Sequence, residues 1–146
     1  MNYIAVIEMG KGETRRIHLK YDGSGFIDLG PIKDQIPVNE GIMPINYGYL
    51  ENTLNPIEKD DVDVVIFSNK LYKTGDKVEV EIIGMFNRED GDHKVLAVDD
   101  SMKIESFEDI LPTERESLLD FFGYKSKIVS ISTKDEALEY LASCKV

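Results

Sequence analysis

Lys77-Val78-Glu79-Val80-Glu81-Ile82-Ile83-Gly84-Met85-Phe86 alternates apolar and acidic side chains through its first half. A period of two puts Val78, Val80 and Ile82 on the buried face of a strand and leaves Glu79 and Glu81 in water. Apolar β-type runs flank it at 62–67 and 94–98, with Lys73-Thr74-Gly75-Asp76 as a turn before it. Nearer the N-terminus, 2–8 is apolar and β-rich, and 15–21 alternates around Ile17 and Leu19. Gly10-Lys11-Gly12 between them reads as a hairpin connection; it lacks the third glycine and following helix of a dinucleotide fingerprint. The turn Asp22-Gly23-Ser24-Gly25 leads to a short strand at 26–29, and 30–44, with three prolines, reads as a long loop. After Asp99 the period changes. Thr113-Glu114-Arg115-Glu116 has the form of a capping box opening a helix near 114–122 that stops at Gly123. A strand at 127–132 precedes a second box, Thr133-Lys134-Asp135-Glu136, and a closing helix carrying Ala137, Leu138 and Leu141. Seven short strands with the helices held back to the end predict an α+β fold: a small antiparallel, OB-like β-barrel with two C-terminal helices packed on it.

The 146 residues fit a single domain over 1–146, long enough to bury roughly 68–70% of the unfolded surface. With 28 acids against 17 bases, the net charge of −11 opposes nucleic acid and anionic membranes and favours divalent cations. One cysteine, Cys144, makes no internal disulfide, and neither a leader nor an apolar run near 18 residues is present, so the expectation is a soluble, cytoplasmic protein without membrane contact.

Two acidic turns, Glu58-Lys59-Asp60-Asp61-Val62-Asp63 and Glu89-Asp90-Gly91-Asp92-His93-Lys94, run straight into the apolar strands 62–67 and 94–98, and hold seven of the acids. Set side by side they would repel: two charges about 4 Å apart cost roughly 4 kcal/mol at an effective dielectric of ~20. Lys94 alone does not neutralise them. Carboxylates at the mouth of a strand suit a hard cation, although such acids also simply solvate turns. The spacing is not that of an EF-hand, since Ile66 and Tyr72 fall where its Gly and Glu belong. His18 and His93 lack zinc-site spacing, and Cys144 near the C-terminus makes a poor nucleophile partner for either.

Asn46-Tyr47-Gly48-Tyr49-Leu50-Glu51-Asn52-Thr53-Leu54, then Asp60-Asp61-Val62-Asp63, then Asp92-His93-Lys94-Val95-Leu96-Ala97-Val98, resembles in order and interval the family I soluble inorganic pyrophosphatases. The resemblance is best over 45–98. It implies Mg²⁺-dependent hydrolysis of pyrophosphate, or of a similar small phosphoanhydride, by a metal-activated water. Carried across, it places metal ligands at Glu58, Asp60, Asp63 and Asp92 and the general base at Asp60. Phosphate contacts fall at Arg16, Tyr47, Lys94, Tyr124 and Lys125, with Glu8 as a further site position. It also implies a homo-oligomer as a common state. The chain departs from the pattern at Leu29 (an arginine in the family), Met43 (a tyrosine), Asn87 (an aspartate) and His18 (a glutamate). Arg88 and Lys33 are the candidates to replace the lost arginine. Those departures leave two alternatives to a pyrophosphatase: an impaired relative that binds metal or phosphate, and a hydrolase of another phosphoanhydride.

Overall fold

A computed structural model describes residues 2–20 and 22–146. Eight strands form: β1 (Asn2–Met9), β2 (Arg15–Leu19), β3 (Phe26–Pro31), β4 (Asn46–Leu50), β5 (Asp63–Phe67), β6 (Lys77–Arg88), β7 (Lys94–Val98) and β8 (Ile128–Ser132). Two helices, α1 (Pro112–Phe122) and α2 (Lys134–Ser143), follow the barrel strands. The main sheet runs β1-β4-β5-β7-β6, and β6 pairs back onto β1, which closes a five-stranded barrel; β8 extends β6 beyond it. β2 and β3 form a separate hairpin. Among the described residues no helix is long and apolar enough to cross a membrane.

The barrel is not wholly antiparallel as expected: β5 and β7 lie parallel, with Asp63 beside Lys94 and Val65 beside Leu96. Their continuous apolar sequence has a physical reason, because both faces are buried. Val64, Ile66, Val95 and Ala97 join Ala5, Ile7, Val80 and Ile82 in one core cluster, to which α2 contributes Ala137 and Leu141. Val65, Phe67, Leu96 and Val98 point the other way, into a second cluster with Tyr47, Phe86, Phe121 and Phe122.

Four further expectations are corrected. The strand β4 was not among the seven read from periodicity, because Gly48 and two tyrosines blur its pattern. Gly10-Lys11-Gly12 does not join a hairpin; β1 pairs with β4 and β6, and the chain crosses from the barrel to the β2–β3 hairpin. The 30–44 loop contains two single-turn 3₁₀ segments, Ile32–Asp34 and Val38–Gly41. Thr113 does not cap α1: the N-cap is Leu111, with no side-chain cap bond, and Pro112 occupies the first helical position, where its missing N–H costs nothing. The box at Thr133 does form, with Glu136 N–H donating to Thr133 Oγ1 at 3.3 Å and Thr133 N–H to Glu136 Oε1 at 2.8 Å. The reading of β2 to residue 21 ends on Tyr21, outside the described residues.

At Gly48 the β1 backbone leaves no room for a side chain on β4. A Cβ there would lie 1.8 Å from the Val6 carbonyl oxygen and 2.8 Å from its carbon, both backbone atoms that cannot swing aside. Gly48→Ala is therefore expected to destabilise the protein by at least the ~1–3 kcal/mol typical of overpacking, read as a lower urea midpoint.

Candidate functional site

Parallel pairing brings the first residues of β5 and β7 to the same rim of the barrel, and with them both acidic turns. Asn55, itself buried, ties the turns together. Its Oδ1 accepts the N–H groups of Ile57 (2.9 Å) and Glu58 (3.2 Å), while its Nδ2 donates to the Gly91 carbonyl at 3.0 Å. Gly91 takes φ +81°, which lets Asp90 Oδ1 accept the Asp92 N–H at 3.0 Å and turns both carboxylates the same way. As a result Glu58, Asp90 and Asp92 each offer an oxygen, all within 4.8 Å of one another.

Beside this group lies a cavity of about 300 Å³. The β2–β3 hairpin supplies Arg16, Ile17 and His18, β4 supplies Tyr47, the acidic rim supplies Asp63, Arg88, Asp90, Asp92 and Lys94, and the end of α1 and its following turn supply Phe121, Phe122 and Lys125. Lys94, only 5% exposed, donates from Nζ to Asp63 at 2.6 Å, to the Tyr47 hydroxyl at 2.8 Å and to Asp92 at 3.1 Å. Tyr47 is fixed in turn by stacking on Phe122, ring centroids 5.7 Å apart. Burial holds the Tyr47 hydroxyl protonated, and the neighbouring Asp63 reinforces this. Burial also raises the Asp92 carboxyl, against the pull of Lys94. Lys125 is lowered by burial and by the adjacent charges of Arg16, Arg88 and Lys94, the physical signature of cations crowded around one space.

The residues singled out in the sequence distribute unevenly around this space. Arg16, Tyr47, Asp63, Asp92, Lys94 and Lys125 line the cavity. Glu58 lies beside it in the acid group with Asp92. Asp60 neither lines the cavity nor joins that group; its carboxylate accepts the Asp61 N–H at 2.8 Å. Tyr124 stands 53% exposed outside the lining. Glu8 is buried on β1 and accepts the Leu19 N–H at 2.7 Å, with the His18 ring 3.5 Å away and its second oxygen unpartnered among the described residues. Asp90 and Asn55 are not among the site residues that the sequence points to; the signals that could have found them are the Asp90-Gly91-Asp92 turn and the Asn55-Pro56 turn opener. Among the departures, Met43 is a buried wall of the cavity, whereas Leu29 lies outside it at 46% exposure. Asn87 turns away to donate to Ser130 (3.1 Å) and Ser132 (2.7 Å) on β8.

Burial pushes the Glu8 carboxyl up to about 7, with His18 opposing and Asp63 reinforcing. Burial alone would discharge His18, but the Glu8 charge, the hydrogen bond to the Leu19 carbonyl and the nearby Asp63 and Asp60 together outweigh it, and the imidazole is raised. A carboxyl whose folded pKa exceeds its unfolded value stabilises fully below the unfolded pKa, and that contribution is lost as pH rises through the folded pKa. The metal-free protein is therefore expected to lose stability between pH ~4.5 and about 7, by no more than roughly 3 kcal/mol. Urea midpoints measured across that window should show the slope, and Glu8→Gln should flatten it.

The three carboxylates fit a hard divalent cation. They offer only oxygen donors, and oxygens around one Mg²⁺ or Ca²⁺ lie at most about 4–5 Å apart, a span within which all three already fall.

The family model described as inorganic pyrophosphatase matches residues 5–144. An inorganic pyrophosphatase of Ureaplasma parvum is 31% identical over 115 residues, 70% of this chain and 63% of that protein. One of Helicobacter pylori is 36% identical over 96 residues, 64% of this chain and 52% of that protein. The chain thus spans between half and two thirds of the length of the relatives it matches. In fold, it resembles the crystal structure of inorganic pyrophosphatase from Ehrlichia chaffeensis, with a TM-score of 0.86 at 20% identity, covering 98% of this chain and 92% of that one.

Proposed function

Since the chain belongs to the inorganic pyrophosphatase family, we propose that it hydrolyses inorganic pyrophosphate to two phosphates, with Mg²⁺ held by Glu58, Asp90 and Asp92. The observation that carries this reading is the pairing of an oxygen-only acid group with a cavity walled by Arg16, Arg88, Lys94 and Lys125. A polyanion together with a divalent cation is the ligand that neutralises both halves. When bound, Mg²⁺ supplies a Lewis acid that offsets phosphate charge and acidifies water.

The chain's own residues do the rest. Arg16, Lys94 and Lys125 bind phosphate oxygens and stabilise the charge that develops as the bridging P–O bond breaks. By its position in the family's acidic signature rather than by a place in the cavity lining, Asp60 is assigned to accept the proton of the attacking water, at the carboxylate oxygen that the Asp61 N–H does not occupy. Asp63 and Tyr47 hold the Lys94 ammonium in place, each bonded directly to Nζ. Lys125 stands at the edge of the cavity with Tyr124 exposed next to it in the chain, and Met43, Phe121 and Phe122 supply an apolar wall that excludes water and strengthens those charge interactions.

The test is phosphate release from pyrophosphate with Mg²⁺, using enough protein to register an enzyme impaired a thousandfold. Release above background is the expected result; none at that sensitivity overturns the proposal. Nucleoside triphosphates in the same assay measure how far the site prefers pyrophosphate.

A further inference from the structure

The geometry points to Arg88 as the anchor for a phosphate group in the cavity, a role that rests on the reading of that cavity as a phosphate site. Lys94 is the more buried cation, but it shares its charge with Asp63 and Asp92, which accept from its ammonium at 2.6 and 3.1 Å, so it is the weaker anchor for a ligand. Arg88 differs in every respect that matters for a ligand. It is only 9% exposed and faces the same space. Its guanidinium makes one long bond, Nη1 to the Asp92 carbonyl at 3.4 Å, and two contacts beyond hydrogen-bond reach, to Asp90 at 3.6 Å and Asp92 at 3.9 Å. Its Nε–H is buried with no hydrogen-bond partner among the described residues.

A buried donor left unpaired is costly, and an arginine always carries its charge, so it cannot escape by deprotonating. A tetrahedral oxyanion relieves that cost well, because two of its oxygens can accept Nε–H and one Nη–H in parallel. The side chain is also held from behind. Arg88 ends β6, where the ladder to β8 shifts register between Asn87 and Arg88. Asn87 is thereby committed to Ser130 and Ser132, and Arg88 goes to the cavity. Its backbone N–H donates to His93 Nδ1 at 2.9 Å, and that ring packs edge-on against Tyr140 of α2. The backbone beneath the guanidinium is therefore fixed, as a preorganised anion site requires.

Inorganic phosphate is the probe, titrated calorimetrically into the full chain with Mg²⁺ present, alongside pyrophosphate turnover. Arg88→Gln is expected to weaken phosphate binding and raise KM about 10- to 100-fold with a smaller change in kcat. Arg88→Lys, which keeps the charge but loses the fork, should recover part of the affinity. If Arg88 only braces the acidic turn, both variants melt at lower temperature with phosphate affinity unchanged, and the inference is overturned. A parent that hydrolyses pyrophosphate while Arg88→Gln matches its KM overturns the inference alone. A parent that binds phosphate through Arg88 without turnover supports the inference and removes the hydrolase reading. A parent that does neither overturns both.

Discussion

Asp60→Asn is expected to cut phosphate release by about 10²- to 10⁴-fold, the usual worth of a general base, while leaving the Mg²⁺-induced rise in melting temperature intact. The separation of the two effects follows from where Asp60 sits. Its carboxylate accepts the Asp61 N–H, a bond that an asparagine Oδ1 can keep, so the turn should hold its shape. The oxygens grouped for a cation belong to Glu58, Asp90 and Asp92. Asp92→Asn is the contrasting variant: it removes a charge from the cation group and a counter-charge from Lys94, so it should lose both turnover and the Mg²⁺ shift. Parent-like release by Asp60→Asn would mean that the proton goes elsewhere, and loss of the Mg²⁺ shift in that variant would place Asp60 among the ligands.

Lys94→Met is expected to have the largest effect on stability, about 3–5 kcal/mol, measured by urea unfolding of the metal-free protein. The ammonium satisfies three buried or half-buried groups at once, Asp63, Asp92 and the Tyr47 hydroxyl. Methionine fills the same volume but leaves two carboxylates facing each other without a counter-charge. Asp92 is already raised by burial, and Lys94 is what opposes that shift. Lowering the pH should therefore restore part of the variant's lost stability, because protonating a carboxyl removes the repulsion. Replacing Asp63 by leucine in the same background should also recover part of it, since an apolar pair of similar size avoids the desolvation cost. A loss below about 1 kcal/mol would mean that the charges are as well screened as a surface pair.

Much of the fold was legible in the residues because burial imposes a period on them. The alternation of Val78, Val80 and Ile82 with Glu79 and Glu81 appears directly as inward and outward positions on β6. Thr133 and Glu136 close the capping box that their spacing announced. Reading failed where a local pattern was outcompeted. Thr113 has the right spacing for a cap, but Pro112 is better suited to begin the helix and moves the boundary back. β4 was obscured because Gly48 answers to the Val6 backbone passing over it, a contact between residues far apart in sequence. At the site, motif order led to six of the cavity's charged or hydroxyl-bearing residues, whereas Asp90 joined through a turn, and Arg88 had been only one of two candidate substitutes for a missing arginine.

By itself the sequence determined that two clusters of acids each run into an apolar stretch, that 64–67 and 95–98 are continuously apolar, and that basic residues and a Tyr-Gly segment accompany them. Only the tertiary structure decided that the strands are parallel neighbours. Had β5 and β7 paired antiparallel, their acidic entrances would have fallen at opposite ends of the barrel, and neither the Glu58–Asp90–Asp92 group nor the Asp63–Lys94 pair could form. Strand direction is set by the whole closed ladder from β1 to β6, a balance of many pairings that no single stretch of residues contains.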